Sequence, residues 1–544
     1  MVIIPNSTII LLKSPLKLDN YNQITFSNLT AQYNYFNSLP KLTLEDATYQ
    51  RKEGVIRFPT HTDLNDGLPV YEDLLKYNYC MYQNTSYSNK WFYAFIDEIN
   101  YINDGVSEIK IETDTFQSWQ FDIVYMNSFI EREHVSNDTI GLHTLPEGLE
   151  TGEYIINSSD LITHLFDKDA CYICAGISFI PDNSLGINND RYYGDIYSGL
   201  TLIIFDDWGM ASKYFTAYDK MGKGDAIINL YMLPSALVTN PTWQTATYDG
   251  VSIRFAVLPS SPSSTTLLDN ISLPINTTLN GYSPKNNKLF VWPYNYLSIT
   301  NNSGTQVQFH YEDFVNNAPL FKLEALETCG VPSMLIPKNY KLKTDVSGTD
   351  IFYNYGLTGG KFPVCSWQTD GYTNWLTQNG INIGGIKLDA VQTGILGSAI
   401  GGIGSALAGK SATGSFGGMF NSIREGIKHS FESPTVNGQT SVGDLNFAHN
   451  GLVFNYYKMS VRSEYAKIID DFFSMYGYKV NSLKTPNIHK RSNWDYIKTI
   501  DVNLEGEIPE KDLDKIRNLF NNGCTFWHTT TYFLDYSKTN SILT

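Results

Sequence analysis

Between Asp389 and Lys410 the chain carries no charged residue, and the run is made almost entirely of Gly, Ala, Ser, Ile and Leu. No other part of the sequence resembles it. Leu396, Ile400, Ile403 and Leu407 recur at helical spacing, with Ile395 beside them, so a helix would gather them into one apolar stripe. Gly397, Gly401, Gly404 and Ala408 form a second stripe of small residues, and Gly397 and Gly401 stand in the G-x-x-x-G relation that lets two helices approach closely in lipid. Beyond Lys410 the apolar pattern resumes with Phe416, Met419, Phe420, Ile423 and Ile427 and ends in the basic Arg424, Lys428 and His429. A helix of about 20 residues would match the ~30 Å hydrocarbon layer of a bilayer. Each glycine, however, costs about 1 kcal/mol relative to alanine in a helix. As a permanent membrane span the stretch is therefore marginal. It is either a buried small-residue helical hairpin of an ordinary core or a flexible glycine-rich loop, or else a segment shielded by assembly and later released into a membrane. The last reading is preferred, because so little in Ala390–Ile427 would hold it folded alone.

The remaining sequence reads as mainly β. At 544 residues it is long enough for three or four domains, and 14% aromatic residues with 37 Tyr suit half-buried pleated surfaces. A net charge of −16 argues against a sequence-reading nucleic-acid protein, which presents a basic face. It suits solubility, or a surface along which DNA slides without sticking. The N-terminal apolar run lacks a basic leader, so export through a signal peptide is not expected. Six scattered cysteines read as reduced thiols of a protein made in the cytoplasm. Cys171 and Cys174 form C-x-x-C inside an apolar run with no second pair of ligands, which favours buried strand cysteines over a metal site. The sequons at Asn270 and Asn276 are read as chance products of an Asn- and Thr-rich chain.

In the first 135 residues RKEGVIRFP, KYNYCMYQN, KWFYAFIDEINYI and EIKIETDTFQSW read as strands, with Asn103-Asp104-Gly105 as a hairpin turn. From about residue 157 to 363 CYICAGISFI, LTLIIFDD and KLFVWPYNYLSIT read as strands, and SPSSTTLL and NNSGTQ as linkers. Near the C-terminus GLVFNYYKMSVR is a strand. A helix follows from a Ser463 cap to Gly477, with Tyr465, Ile468, Ile469, Phe472, Phe473 and Tyr476 on one face. A second helix begins at Pro509, turns Leu513, Ile516, Leu519 and Phe520 inward, and stops at Gly523. CTFWHT then returns to strand.

Nothing in the chain carries a catalytic signature: G-x-S-x-G, the Walker loop, H-E-x-x-H and the Rossmann fingerprint are all missing. The acidic pairs Asp470-Asp471 and Glu131/Glu133 read as solvated faces, and His528 beside Trp527 as a packed or hydrogen-bonded histidine. No catalytic residue, cofactor or metal ligand is assigned.

The run Met475–Thr529 (MYGYKVNSLKTPNIHKRSNWDYIKTIDVNLEGEIPEKDLDKIRNLFNNGCTFWHT) resembles the C-terminal region of tail-knob, or distal tail tube, proteins of small short-tailed phages of Gram-positive bacteria. YNYFNS (Tyr33–Ser38), NKWFYAF (Asn89–Phe95), TDTFQSW (Thr113–Trp119) and SFIEREHV (Ser128–Val135) match the same family in the same order. The resemblance implies a structural virion protein rather than an enzyme. It implies a β-barrel or sandwich tube domain built from residues 1–155 and 445–544, inserted β-domains over 156–365, and a hydrophobic membrane-active loop region over 366–444. It further implies a homohexamer, joined to upper tail tube, collar and tip proteins, that conducts DNA. Its loops would plug the lumen and then penetrate the host cell membrane during genome ejection. Ile395, Leu396, Ile400, Ile403, Leu407, Phe416, Met419, Phe420, Ile423 and Ile427 are the membrane-active candidates. A carbohydrate-binding tail spike and a pore-forming toxin remain the alternative classes.

Overall fold

The computed structural model describes residues 7–47, 54–61, 68–84, 89–167, 170–177, 192–193, 196–197, 201–220, 227–258, 265–302, 304–325, 333–341, 355–359, 365–366 and 451–543. They fall into two compact units. Unit 1 is drawn from Met1–Glu153, Thr278–Tyr294 and Val461–Thr544, and unit 2 from Tyr154–Thr277 and Asn295–Ser460. The fold is mainly β, with helices that each pack on sheets.

Unit 1 holds a six-stranded antiparallel sheet in the order Lys41–Ala47, Ser7–Leu12, Tyr79–Asn84, Trp91–Asn103, Val106–Thr113, Val55–Pro59. The Asn103–Val106 pair closes its longest hairpin, and Gly105 N donates to Asn103 Oδ1 at 2.9 Å. The unbroken apolar run STIILL has a physical reason, since both faces of its strand are covered. Ile9 and Leu11 join a core with Ile109 and Phe526, while Ile10 and Leu12 join one with Phe36, Tyr79 and Tyr93. Phe36 comes from the Leu29–Ser38 helix, whose Asn28 cap accepts from Ala31 N at 2.8 Å. Its ring stacks on Tyr79 at 5.4 Å.

The second sheet of unit 1 runs Asn22–Ile24, Cys524–Trp527, Trp494–Asp501, Ser128–Glu133, Tyr478–Lys484. Asn22–Ile24 lies parallel to Cys524–Trp527, so backbone hydrogen bonding joins the two ends of the sequence. Trp494 and Trp527 are fully buried with rings 5.2 Å apart, and each indole N–H is satisfied, by Ser474 O at 3.0 Å and Asn22 Oδ1 at 3.1 Å. The Glu510–Asn522 helix buries Leu513, Ile516, Leu519 and Phe520 as its spacing predicts. Each such side chain contributes about 1.5 to 3 kcal/mol.

Unit 2 contains a six-stranded sheet with Cys171–Ile177 and Thr201–Phe205 at its centre, and two four-stranded sheets. Alternation again divides one strand between cores: Leu202 and Ile204 face one cluster, Ile203 and Phe205 another. The second cluster is closed by the Trp208–Lys220 helix through Ala211, Tyr214, Phe215 and Tyr218. That helix was missed in the sequence, although its i, i+3, i+4, i+7 spacing and Asp207, whose Oδ1 accepts from Met210 N at 2.9 Å, were legible signals. Cys174 is buried and Cys171 half-buried, both on a strand.

Several expectations are corrected. Arg462, not Ser463, occupies the cap of the Ser463–Tyr476 helix, and no side chain caps it. Its buried face is Ala466, Ile469, Asp470 and Phe473, and Ile468 is 67% exposed. The TFQSW end of one expected strand is the Thr115–Trp119 helix, because Asp114 caps it by accepting from Gln117 N at 3.0 Å. KLFVWPYNYLSIT is strand only over Asn295–Thr300, and SPSSTTLL enters a strand at Thr265.

Gly477 stops the Ser463–Tyr476 helix at φ 64°, and a Cβ there would lie 2.1 Å from Glu133 O. Gly477→Ala should therefore destabilise unit 1 by about 1 to 3 kcal/mol from backbone strain alone, with steric displacement in addition. Gly148 has a similar φ of 69° but open space around it, so Gly148→Ala should cost only the backbone term. Urea unfolding followed by tryptophan fluorescence checks both. Equal losses in the two variants would contradict the close-approach argument.

Candidate functional site: a buried charged seam in unit 1

The three segments of unit 1 meet at carboxylates that have left water. Glu147 sits on the connection after the Ser128–Glu133 strand, and its side chain is fully buried. It is ion-paired with Arg132 and Lys288 and accepts Lys479 N at 2.9 Å. Arg132 Nη1 also donates to Gly477 O at 2.8 Å. Burial pulls the Lys288 ammonium below its ordinary pKa, and Glu147 pushes it back. Thus Glu147 ties residues 132, 288 and 479, one from each segment.

Neighbouring carboxylates repeat the pattern. Asp470, on the buried side of its helix, accepts from Tyr282 Oη at 2.7 Å, Lys285 N at 2.7 Å, and Asn286 N and Nδ2 at 3.0 and 2.8 Å. Asp138 accepts from Asn287 N at 2.9 Å and Tyr478 Oη at 2.7 Å. Glu133 is ion-paired with Lys484 and Lys490. Asp495 accepts from Lys490 N at 2.7 Å and Arg491 N at 3.0 Å, and lies 3.0 Å from His528 Nε2. Burial raises its carboxyl, but the His528 contact and nearby His134 outweigh this and leave its pKa lowered.

Two acidic readings are thereby corrected. Asp470 and Glu133 are buried at 0% and 1% exposure rather than solvated. Asp471, 3.4 Å from Lys285 Nζ, and Glu131, 2.8 Å from Lys498 Nζ, remain at the surface as expected. His528 is hydrogen-bonded as expected, between Asp495 and Thr25 Oγ1 at 2.7 Å. Thr25, His528 and Asp495 form a hydroxyl–imidazole–carboxylate chain, yet Thr25 is 6% exposed and its hydroxyl also lies 3.2 Å from Trp527 O. The chemistry of the seam is cohesion: its carboxylates are met by ammonium, guanidinium and backbone N–H donors. Among the described residues no cluster of His, Cys, Asp and Glu is arranged to hold a metal ion. The ten membrane-active candidates, Ile395 to Ile427, lie outside the described residues. No helix among the described residues is long and apolar enough to cross a membrane.

The seam residues 282–288 and 470–498 fall in the region matched by the family model for the C-terminal domain of Bacillus phage phi29 tail knob protein gp9, which spans residues 261–541, more than half of the chain. The chain belongs to the gp9 tail knob family. Residues 5–124 match the N-terminus of caudoviral major tail proteins. Tail knob protein gp9 of Bacillus phage B103 is 26% identical over 594 residues, covering 97% of each chain. That of Bacillus phage phi29 is 26% identical over 601 residues, covering 96% of each. The solved tail knob protein gp12 of bacteriophage C1 superposes with a TM-score of 0.58 at 14% identity, over 99% of this chain and 100% of that one, which shows a shared fold. This gp9-family protein is a structural component of a phage virion tail.

Removing one member of a buried ion pair leaves its partner uncompensated and costs about 3 to 5 kcal/mol. Glu147→Gln should lose that much in urea unfolding, and the double variant Glu147→Gln/Lys288→Met should lose less. A double variant as unstable as the sum of the singles would mean that the pair is not coupled.

His134 supplies a pH prediction. Its Nδ1 accepts from Tyr496 N at 2.8 Å and its Nε2 lies 3.1 Å from Ser474 O, so the folded ring is neutral. Burial pulls its pKa from 6.5 to about 4, against the pull of Asp495. Between those values the unfolded chain binds a proton that the folded chain does not, so this residue makes stability fall as pH drops from 6.5 toward 4. Asp114 acts with the opposite sign. Burial raises its carboxyl from 3.8 to about 6, against hydrogen bonds from Gln117 N and Tyr79 Oη, so the folded state holds a proton the unfolded state releases. Each contributes about 3 kcal/mol over its window, and the two partly cancel. Relative to the parent, His134→Gln should make stability fall less steeply on acidification from pH 6.5 to 4, and Asp114→Asn should make it fall more steeply. Parallel pH profiles for parent and variants would contradict both assignments.

Proposed function

We propose that this tail protein assembles as a homohexameric distal tube that conducts phage DNA. Its glycine-rich segments plug the lumen and then insert into the host cell membrane at genome ejection. Family membership supports the place in the virion, and the charge-free run from Ala390 to Gly409, inside the matched region, carries the membrane part of the reading. A net charge of −16 favours transit: weak repulsion of phosphate avoids the tight, salt-dependent binding that a basic lumen would give. The protein acts without catalysis or cofactor, and its partners are upper tail tube, collar and tip proteins. Particle mass is the first test. A ring of six chains supports the tube, whereas monomers alone at high concentration, or tight retention of DNA at moderate salt, contradict it.

Ile403 lies mid-way along the apolar stripe, and Ile403→Asp tests insertion. One carboxylate at mid-membrane costs about 2.5 to 3.5 kcal/mol, so six inserted copies would oppose the pore by roughly 15 to 20 kcal/mol. Leakage of dye-loaded liposomes should be lost while ring assembly persists, and Ser405→Ala should be near neutral in both assays. An Ile403→Asp variant that leaks like the parent overturns the membrane role. One that fails to assemble while Ser405→Ala behaves normally makes the segment ordinary core.

A further inference from the structure

A cleft of about 260 Å³ opens in unit 1 between the Leu18–Tyr21 loop, the end of the Val106–Thr113 strand and the Glu510–Asn522 helix. It serves none of the contacts described above. The loop is bent back at Asn20, φ 58°, and Asp19 Oδ1 accepts Tyr21 N at 3.1 Å, which sets the Tyr21 ring at the rim with 61% of its surface exposed. On the helix, Lys515, Asn518 and Asn522 follow at i, i+3 and i+7 and share one face. Lys515 Nζ meets Glu112 Oε1 at 3.1 Å across the cleft, while the exposed amides of Asn518 and Asn522 make no hydrogen bond with any described residue. Buried Phe95 and Leu519 contribute an apolar floor.

The geometry points to a binding site for a neutral saccharide, with Tyr21 as the stacking ring and Asn518, Asn522 and Asp19 as the polar contacts. A sugar hydroxyl donates and accepts at once, and each carboxamide offers both functions. An exposed aromatic ring packs on the C–H face of a pyranose, as aromatic bodies do on apolar surface generally. The lining is mainly polar around a small apolar floor, which suits a small polar ligand with one apolar face. Charge selects the class: Asp19 and Glu112 outnumber Lys515, so the cleft disfavours phosphates and other anions. The inference stands on unit 1 alone and does not depend on the tube or the membrane reading.

Saturation-transfer NMR on the full chain tests it with four probes, glucose, galactose, N-acetylglucosamine and N-acetylgalactosamine, and with inorganic phosphate in competition. At least one sugar should receive saturation with a Kd on the order of 1 mM. Tyr21→Ala should weaken it up to about tenfold, and Asn518→Ala/Asn522→Ala by about fivefold per lost hydrogen bond. Both variants alter exposed side chains and should unfold with the parent midpoint, which confirms that the fold is kept. Added phosphate should leave the signal unchanged. The proposal is overturned if no sugar receives saturation at about 20 mM, well above the expected Kd. It is equally overturned if both variants bind like the parent, or if phosphate displaces the sugar.

Discussion

A carboxylate with no exposure to water cannot remain charged alone, and Glu147 makes that constraint the organiser of unit 1. Its partners are Arg132, Lys288 and the backbone of Lys479, which stand 15, 141 and 332 residues away in the sequence. Once Glu147 is dry, all three segments must be present for any of them to be stable there. Asp470 and Asp138 extend the same demand, each taking backbone N–H groups from residues 285–287. The short 278–294 segment contains no strand, only the Asn287–Phe290 turn of helix and a local Leu279–Tyr282 bridge, so no sheet ladder ties it to the other two segments. Carboxylates supply donors with the partners that a ladder would otherwise have provided.

The hydrophobic cores stabilise each layer, and the charges decide which layers go together. Apolar burial is non-directional and tolerates repacking. A buried ion pair contributes little net stability over an apolar substitute, but it penalises every arrangement that leaves one partner alone. In unit 1 such penalties fall on any pairing that omits residues 282–288 or shifts the 478–498 region. The parallel pair between Asn22–Ile24 and Cys524–Trp527 adds a second long-range closure.

What could be read from the sequence follows the range of the interaction. The hairpin at Asn103–Gly105, the inward face of the Glu510–Asn522 helix and its Gly523 stop depend on neighbours a few residues away, and they were legible. The Trp208–Lys220 helix was equally local and was hidden by the strand-like aromatics Tyr214, Phe215 and Tyr218. The family was legible because long motifs survive in the terminal segments. The burial of Glu133, Glu147 and Asp470 was not. An acidic residue beside others looks solvated until its distant donors are known, and those lie between 15 and 357 residues away. The Tyr21–Asn522 cleft was hidden for the same reason, since its walls come from residues about 500 apart.

Hydrogen exchange resolved by peptide tests the organising role of the seam most directly. The amides of Lys285, Asn286 and Asn287 donate to Asp470 and Asp138, and those of Lys479, Lys490 and Arg491 donate to Glu147 and Asp495. If buried charge binds the three segments into one cooperative unit, these amides are protected together and lose protection together as denaturant rises, at the free energy of unfolding unit 1. Rapid exchange across residues 282–288 while 478–498 stays protected would contradict the account.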